Sequence, residues 1–382
     1  MPVTIQPVTT PQEHRTFADF IWEHYANDPH WVAPLVSQRY DVLDKRKNPA
    51  WDYMEGEYFL ARRDGRAVGT IAAFINHRHN DYHKERVGWF GMFECIDDQE
   101  TADALLNTAK AWVKARGYDI IRGPQSFTTH EECGLLVKNS PTYPQPMVVM
   151  PYNPPYYQRL IEANGFEKVI DVVSCYQDRD ILNAHNGFER YGKVAKRVIE
   201  KGGVVIRPLD VRKKTQEFKV FRDIYNLAWA DNWGFVPMTD RELDALVNSL
   251  GMFVDPQLAY FAEIDGVAVG FALAIPNLNE ALALAKPHPR TPEWLTLLKV
   301  LYYWKLKRVI RGVRLPLMGV LKEHRNKGID VAFMYTIMET MRVSQYHFLD
   351  AGWILETNQL LSIVEKVGTL FYKTHRFYQA TT

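Results

Sequence analysis

The chain repeats itself. Residues 57–69 read EYFLARRDGRAVG and residues 258–270 read LAYFAEIDGVAVG, so Gly65 and Gly69 fall opposite Gly266 and Gly270 at a shift of 201 positions. The same shift lays Val3–Pro7 (VTIQP) on Val204–Pro208 (VVIRP) and Phe17 on Phe218. Two identical glycine spacings in one register point to two copies of one fold within the 382 residues. In each copy an Asp-Gly pair, Asp64-Gly65 or Asp265-Gly266, stands between apolar, β-prone runs, which predicts a tight hairpin. Tyr156 to Gly165 and Asn358 to Gly368 both read as a short helix ended by glycine. Strands follow over Val169 to Tyr176 and Leu370 to Tyr378.

Two α/β domains are therefore expected, over 1–180 and 204–382, joined by a helix and linker over 181–203. Each runs strand, helix, hairpin, third strand, helix, strand, helix, strand. That order gives a mixed, twisted sheet with helices on both faces. Lys+Arg is 46 and Asp+Glu is 45, so no global field draws the chain to nucleic acid or to an anionic membrane. Cys95, Cys133 and Cys175 are far apart and form no Cys-x-x-Cys pair, which suits a reducing compartment. Neither a signal peptide nor a membrane-spanning run is visible, so the expected place is the cytoplasm.

Chemistry concentrates at His324-Arg325-Asn326-Lys327-Gly328-Ile329-Asp330. An apolar strand, Leu315 to Val320, precedes this run, and a helical stretch, Val331 to Tyr346, follows it. A strand, a basic glycine turn and a helix N-terminus together make an anion cradle, because free amides and the helix dipole converge there. Asp330 reads as the N-cap of that helix.

The turn resembles the Arg/Gln-x-x-Gly-x-Gly/Ala signature of the GNAT acyltransferases. With the order of elements, it makes nearly the whole chain similar to tandem GNAT proteins. The runs Glu132 to Leu136, Tyr152 to Tyr157 and Trp353 to Asn358 resemble those of bacterial proteins with paired GNAT-like domains. The resemblance implies acetyl-CoA or another acyl-CoA as co-substrate, held by Met318, Gly319, Val320, Arg325, Asn326, Lys327, Gly328, Ile329, Asp330 and Asn358. It implies transfer of the acyl group, acetyl by expectation, to a small-molecule or peptide amine. The tyrosine that many GNAT enzymes place seven residues after that asparagine is Glu365 here, and Tyr372 is the candidate substitute as the acid. A non-catalytic ligand-binding or assembly protein, and an aminoacyl-tRNA-dependent peptidyl transferase-like protein, are the alternatives.

The first copy lacks the turn. Its segment Glu94 to Thr101 carries Glu94, Asp97, Asp98 and Glu100 and no glycine, so it is expected to repel a pyrophosphate and to start a helix instead. The loop Ser126 to Gly134 gathers His130 and Glu132 as candidate catalytic groups, against the plainer reading of a capped turn. No metal site is expected, because His77 and His79 lack a ligand set and read as a loop. Between Asn277 and Val313 the second copy has an insertion whose later part, Glu293 to Gly312, reads as a basic, aromatic helix. It is read as a lid or a packing helix, with a membrane-surface helix as the alternative.

Overall fold

A computed structural model describes residues 2–250 and 254–382. The described chain divides into two compact units that are interleaved in sequence. The first holds residues 1–172, 282–300 and 373–382, and the second holds 173–281 and 301–372.

In the first unit, Thr4–Pro7, Met54–Arg63, Arg66–Asn76 and Val87–Cys95 pair antiparallel in that order. Val87–Cys95 then pairs parallel with Ile120–Gly123, which pairs antiparallel with residues 378–381. The hairpin turns at Asp64 and Gly65, both at positive φ. Period-two alternation splits the strands between two faces. Phe59, Ala61, Ile71, Ala73 and Ile75 bury against Leu105, Ala109 and Val113 of helix Gln99–Lys114 and against Leu160 and Ile161 of helix Tyr156–Ala163. Tyr58 packs on Phe17 of helix Pro11–His24 at 5.0 Å between ring centroids, and Phe74 on Phe127 at 5.4 Å. Helices on both faces are therefore observed, and each is specified locally. Thr10 and Glu13 form a reciprocal cap at the start of Pro11–His24. Those hydrogen bonds hold the Glu13 carboxyl down at about 2.

The second unit repeats the pattern. Val204–Pro208, Ala259–Ile264, Val267–Pro276 and Gly312–Val320 pair antiparallel, and Gly312–Val320 pairs parallel with Phe348–Leu355. Helix Lys214–Ala228 buries Phe221, Ile224 and Tyr225 against Phe261 and Phe271. Helix Ile329–Arg342 buries Ile329, Ala332, Phe333 and Ile337.

Three local expectations are corrected. Helix Ile329–Arg342 begins earlier than its apolar run suggests, with Gly328 at the N-cap, so Asp330 lies in the first turn and is not the cap. The His77–His83 segment is a helix whose His79 is buried 3.0 Å from Glu85; Asn76 caps it by accepting from the His79 amide. The insertion helix ends at Leu301 and continues only as the wider turn Tyr302–Leu306.

Candidate active site

In the second unit, the strand Gly312–Val320 separates from its parallel neighbour. Pairing runs from Gly312↔Phe348 to Leu315↔Ala351 and stops there. On the other side the register slips, so that Leu315 and Pro316 together face Ala274. Such a bulge bends a strand and ends its pairing. Backbone from Pro316 to Val320 is thus left unpaired on one side, immediately before the turn. Trp229 donates from Nε1 to the Met318 carbonyl at 3.2 Å.

The turn itself is set by backbone conformation. Asn326 (φ 61°) and Gly328 (φ 83°) are left-handed, and no side chain caps the helix that follows. Its first amides therefore lack intrahelical partners and point out of the turn. That arrangement fits a pyrophosphate. Glycine is required at 328 twice over: φ is positive, and a Cβ would stand 3.0 Å from both Val194 and Val198. Arg325 braces the turn: its guanidinium donates to the backbone carbonyls of Val320 and Ala228 and lies 3.9 Å from Asp231. Lys327 is exposed, with Nζ 3.3 Å from His324 Nδ1. At Gly319 a Cβ would meet Ala228 at 3.0 Å and Phe271 at 3.1 Å, so this glycine admits helix Lys214–Ala228. Asn358 lies two residues before the next helix, Leu360–Glu365, whose N-cap is Gln359, and its side chain accepts from the Leu360 amide at 2.9 Å.

The first unit does something different at the same place in the fold. Its strand Val87–Cys95 also leaves its parallel partner, after Trp89↔Arg122, and also bulges, with Met92 and Phe93 facing Ile71. Met92 takes φ 48°, and its carbonyl accepts from Thr70 Oγ1 at 2.8 Å. Beyond the bulge Glu94 pairs with Thr70, as Gly319 pairs with Phe271 in the second unit. Glu94 therefore replaces the glycine of the other copy.

Around Glu94 lies a set of hydroxyls and charges. Tyr25 Oη donates to Glu94 Oε2 at 2.6 Å and Tyr157 Oη at 2.8 Å. The Tyr157 oxygen accepts from the Cys95 amide at 2.8 Å and lies 2.9 Å from His24 Nε2. Burial pushes the Glu94 carboxyl up to about 7, with the Glu132 charge adding to it and the two tyrosines and Arg39 opposing. Burial, and Glu94 beside them, raise both tyrosine hydroxyls well above their ordinary range. His24 is pushed down to about 4 by burial, so its imidazole is neutral at pH 7. Arg39 donates from Nη1 to Met92 Sδ at 3.1 Å, while its buried Nε and Nη2 have no hydrogen-bond partner. A carboxyl that ionises near neutrality, bonded to a phenol that touches a neutral imidazole, can accept and relay a proton.

Of the residues singled out from sequence, Met318, Gly319, Val320 and Arg325 to Asp330 are contiguous on the bulged strand and the turn. Glu132 is exposed but close enough for its charge to act on Glu94 and Arg39. The His130 amide donates to Thr128 Oγ1 at 3.3 Å within the same loop. Tyr372 is buried in the second unit, and its hydroxyl donates to Asp350 Oδ2 at 2.7 Å, with Arg314 Nε 3.5 Å from that carboxylate. Sequence reading missed Tyr25, Arg39 and Tyr157, and saw Glu94 only as a repelling charge. The available signal was the carboxylate standing opposite Gly319 once the two strands are aligned by pairing register. Asp98, by contrast, serves as the expected acidic helix start, accepting from the Thr101 amide at 2.8 Å.

No described family profile matches the chain. It is 35% identical to the bacterial ceramide synthase of Caulobacter vibrioides over 389 residues, covering 99% of this chain and 97% of that protein. It is 33% identical to protein YghO of Escherichia coli over 371 residues, covering 96% and 92%. A solved tandem GNAT protein from the clavulanic acid biosynthesis pathway matches 99% of this chain and 98% of its own with a TM-score of 0.55, at 11% identity, which shows the shared fold. With these likenesses, the chain belongs to the family of the bacterial ceramide synthase and protein YghO, and it has a tandem GNAT fold.

Proposed function

We propose that this protein is an N-acyltransferase that joins the acyl group of an acyl-CoA to the amine of a long-chain amino alcohol, forming an amide. The relative's name supplies the acceptor class, because a ceramide is an amide of a fatty acid with such an amine. The observation that carries the chemistry is Glu94. An aliphatic ammonium must lose a proton before it attacks a thioester, and a buried carboxyl ionising at about 7 is suited to take it.

In this reading the Gly328 turn takes the cofactor's pyrophosphate on the first amides of helix Ile329–Arg342, with the exposed Lys327 adding charge. The unpaired backbone from Pro316 to Val320 lines the pantetheine arm. The amine nitrogen attacks the thioester carbonyl, the carbon–sulfur bond breaks, and the CoA thiolate leaves to take up a proton. His130 and Glu132 remain candidates for steering protons, whereas the Tyr372 hydroxyl is committed to Asp350 and is assigned a structural role. Bound acyl-CoA brings the activated thioester; the strand and turn of the second unit supply anion binding and orientation. Binding and positioning of the two substrates furnish much of the rate.

The test is direct. Purified protein is given a C18 2-amino-1,3-diol with palmitoyl-CoA or acetyl-CoA, and products are read by mass spectrometry alongside thiol release. An N-acyl product with stoichiometric CoA is expected, and Glu94→Gln slows its formation by about 10²–10⁴. Folded protein that makes no amide from either thioester would sink the proposal. Calorimetric titration of CoA into wild type and Gly328→Trp separates a binding failure from a failure of chemistry.

A further inference from the structure

The helix Glu293–Leu301 and its continuation Tyr302–Leu306 are apolar on the side that faces solvent. Trp294 (63% exposed), Leu298 (55%), Leu301 (50%) and Tyr302 recur at helical spacing, flanked by Leu295 and by Leu306 (75%). The opposite face, Thr296, Val300 and Trp304, is the buried one. The segment is held down by the Pro287 carbonyl, which accepts from Trp22 Nε1 at 2.9 Å, and by Glu293, which accepts from the Ser37 amide at 2.7 Å. The apolar stripe is therefore presented, not left over from a poorly packed core. Six large apolar side chains exposed within thirteen consecutive residues (294–306) mark a surface that is covered in use.

Charge decides what covers it. Between residues 282 and 311 there are seven basic residues, Lys286, Arg290, Lys299, Lys305, Lys307, Arg308 and Arg311, against the single Glu293. Removing these from the totals leaves 39 basic and 44 acidic residues, so a net of +6 stands on a chain otherwise at −5. Lys299, Lys305, Lys307 and Arg308 are exposed beside the stripe. A second copy offering the same face would set +6 against +6. An anionic bilayer meets both halves of the pattern, with headgroups for the basic residues and the acyl boundary for Trp294, Leu298 and Leu301. No described helix is long and apolar enough to cross a membrane, so the helix lies along the surface.

We propose that this segment docks the protein onto bilayers rich in anionic phospholipid. The proposal rests on the helix alone and does not require the acyl-transfer reading, although a lipid acceptor gives it a purpose. Full-length protein is floated with vesicles of phosphatidylcholine and with vesicles carrying about 30% phosphatidylglycerol, a proportion that gives a negative surface potential. Recovery with the anionic vesicles is expected to exceed that with the neutral ones by roughly tenfold and to fall as salt rises. Trp294→Glu with Leu298→Glu removes it, and Lys305→Glu with Lys307→Glu and Arg308→Glu removes its dependence on anionic lipid. Circular dichroism checks that each variant is folded. Leu298→Cys carrying an environment-sensitive dye gives an independent reading, because Cys95, Cys133 and Cys175 are buried; its emission shifts to the blue on anionic vesicles. Absence of both flotation and dye shift overturns the proposal. So does a dimer that the double-glutamate variant splits, which would make a second copy the occupant. Amide synthesis in detergent that survives lost flotation leaves the enzymatic reading intact, which keeps the two failures apart.

Discussion

Glu94→Gln probes the acid–base cluster through stability as well as rate. The carboxyl is raised from 4.5 to about 7 in the folded chain, mainly by burial. At 1.36 kcal/mol per unit this is worth about 3 kcal/mol between its two protonation states. The sign follows from a raised pKa. Below about 4.5 the group is protonated in both states and folding bears no penalty. As pH climbs from there to about 7 the unfolded chain ionises first, so stability is lost progressively and levels off above the folded value. Glutamine keeps an oxygen to accept from Tyr25 and Tyr157 but cannot ionise. The melting temperature of Glu94→Gln relative to wild type should therefore rise between pH 5 and pH 8.5. About 3 kcal/mol corresponds to roughly 6–12 °C for a unit of this size. Paired scanning fluorimetry of the two proteins in identical buffers cancels every other titration. In the amide-forming assay the same variant should lose about 10²–10⁴ in kcat/KM together with the acidic limb of the pH profile. A melting difference that stays flat across this range would show that Glu94 ionises like an exposed carboxylate, and the argument for it as the base would fail.

Arg39→Met removes the positive charge that opposes the burial of Glu94, so the acidic limb should move to higher pH, as measured by kcat/KM against pH. Gly328→Val forces a branched side chain into a left-handed position against Val194 and Val198. Calorimetry should show CoA affinity reduced about tenfold, and urea unfolding a loss of about 1–2 kcal/mol. Tyr372→Phe deletes the donor to Asp350. It should cost about 1–3 kcal/mol in urea unfolding while kcat stays near wild type. A large fall in kcat with stability unchanged would instead make that phenol the acid.

What the sequence makes legible is what local chemistry decides. Asp64-Gly65 and Asp265-Gly266 can hardly be anything but hairpin turns, and Gly328 announces a turn, although the helix after it begins at Ile329 and not at Val331. The cluster at Glu94 is a different kind of object. Tyr25, Arg39, Glu94 and Tyr157 lie on four elements and meet only because the bulge at Met92 re-aims the strand. As isolated letters they are two core aromatics and two surface charges. The shift of Glu94 is likewise a property of its surroundings, since the same residue in a solvated turn would repel a phosphate, as its neighbours suggest. The insertion shows the limit of periodicity. Its apolar residues mark a helix, though one that ends at Leu301 and not at Gly312, and periodicity assigns no side to solvent when both sides are apolar.

Residues 373–382 belong to the first unit. Tyr378 and Ala380 fill its core beside Ile121 and Leu160, and residues 378–381 pair with Ile120–Gly123. A ribosome delivers residues 1–172 more than two hundred positions before that strand. At about 5–20 residues per second the sheet stays open at that edge for roughly ten seconds or more. During that interval Ile120–Gly123 presents unpaired amides and carbonyls to anything extended that passes. Completion of the first unit thus waits until residue 381 has been made, and a chain cut short before residue 373 leaves that unit without its closing strand.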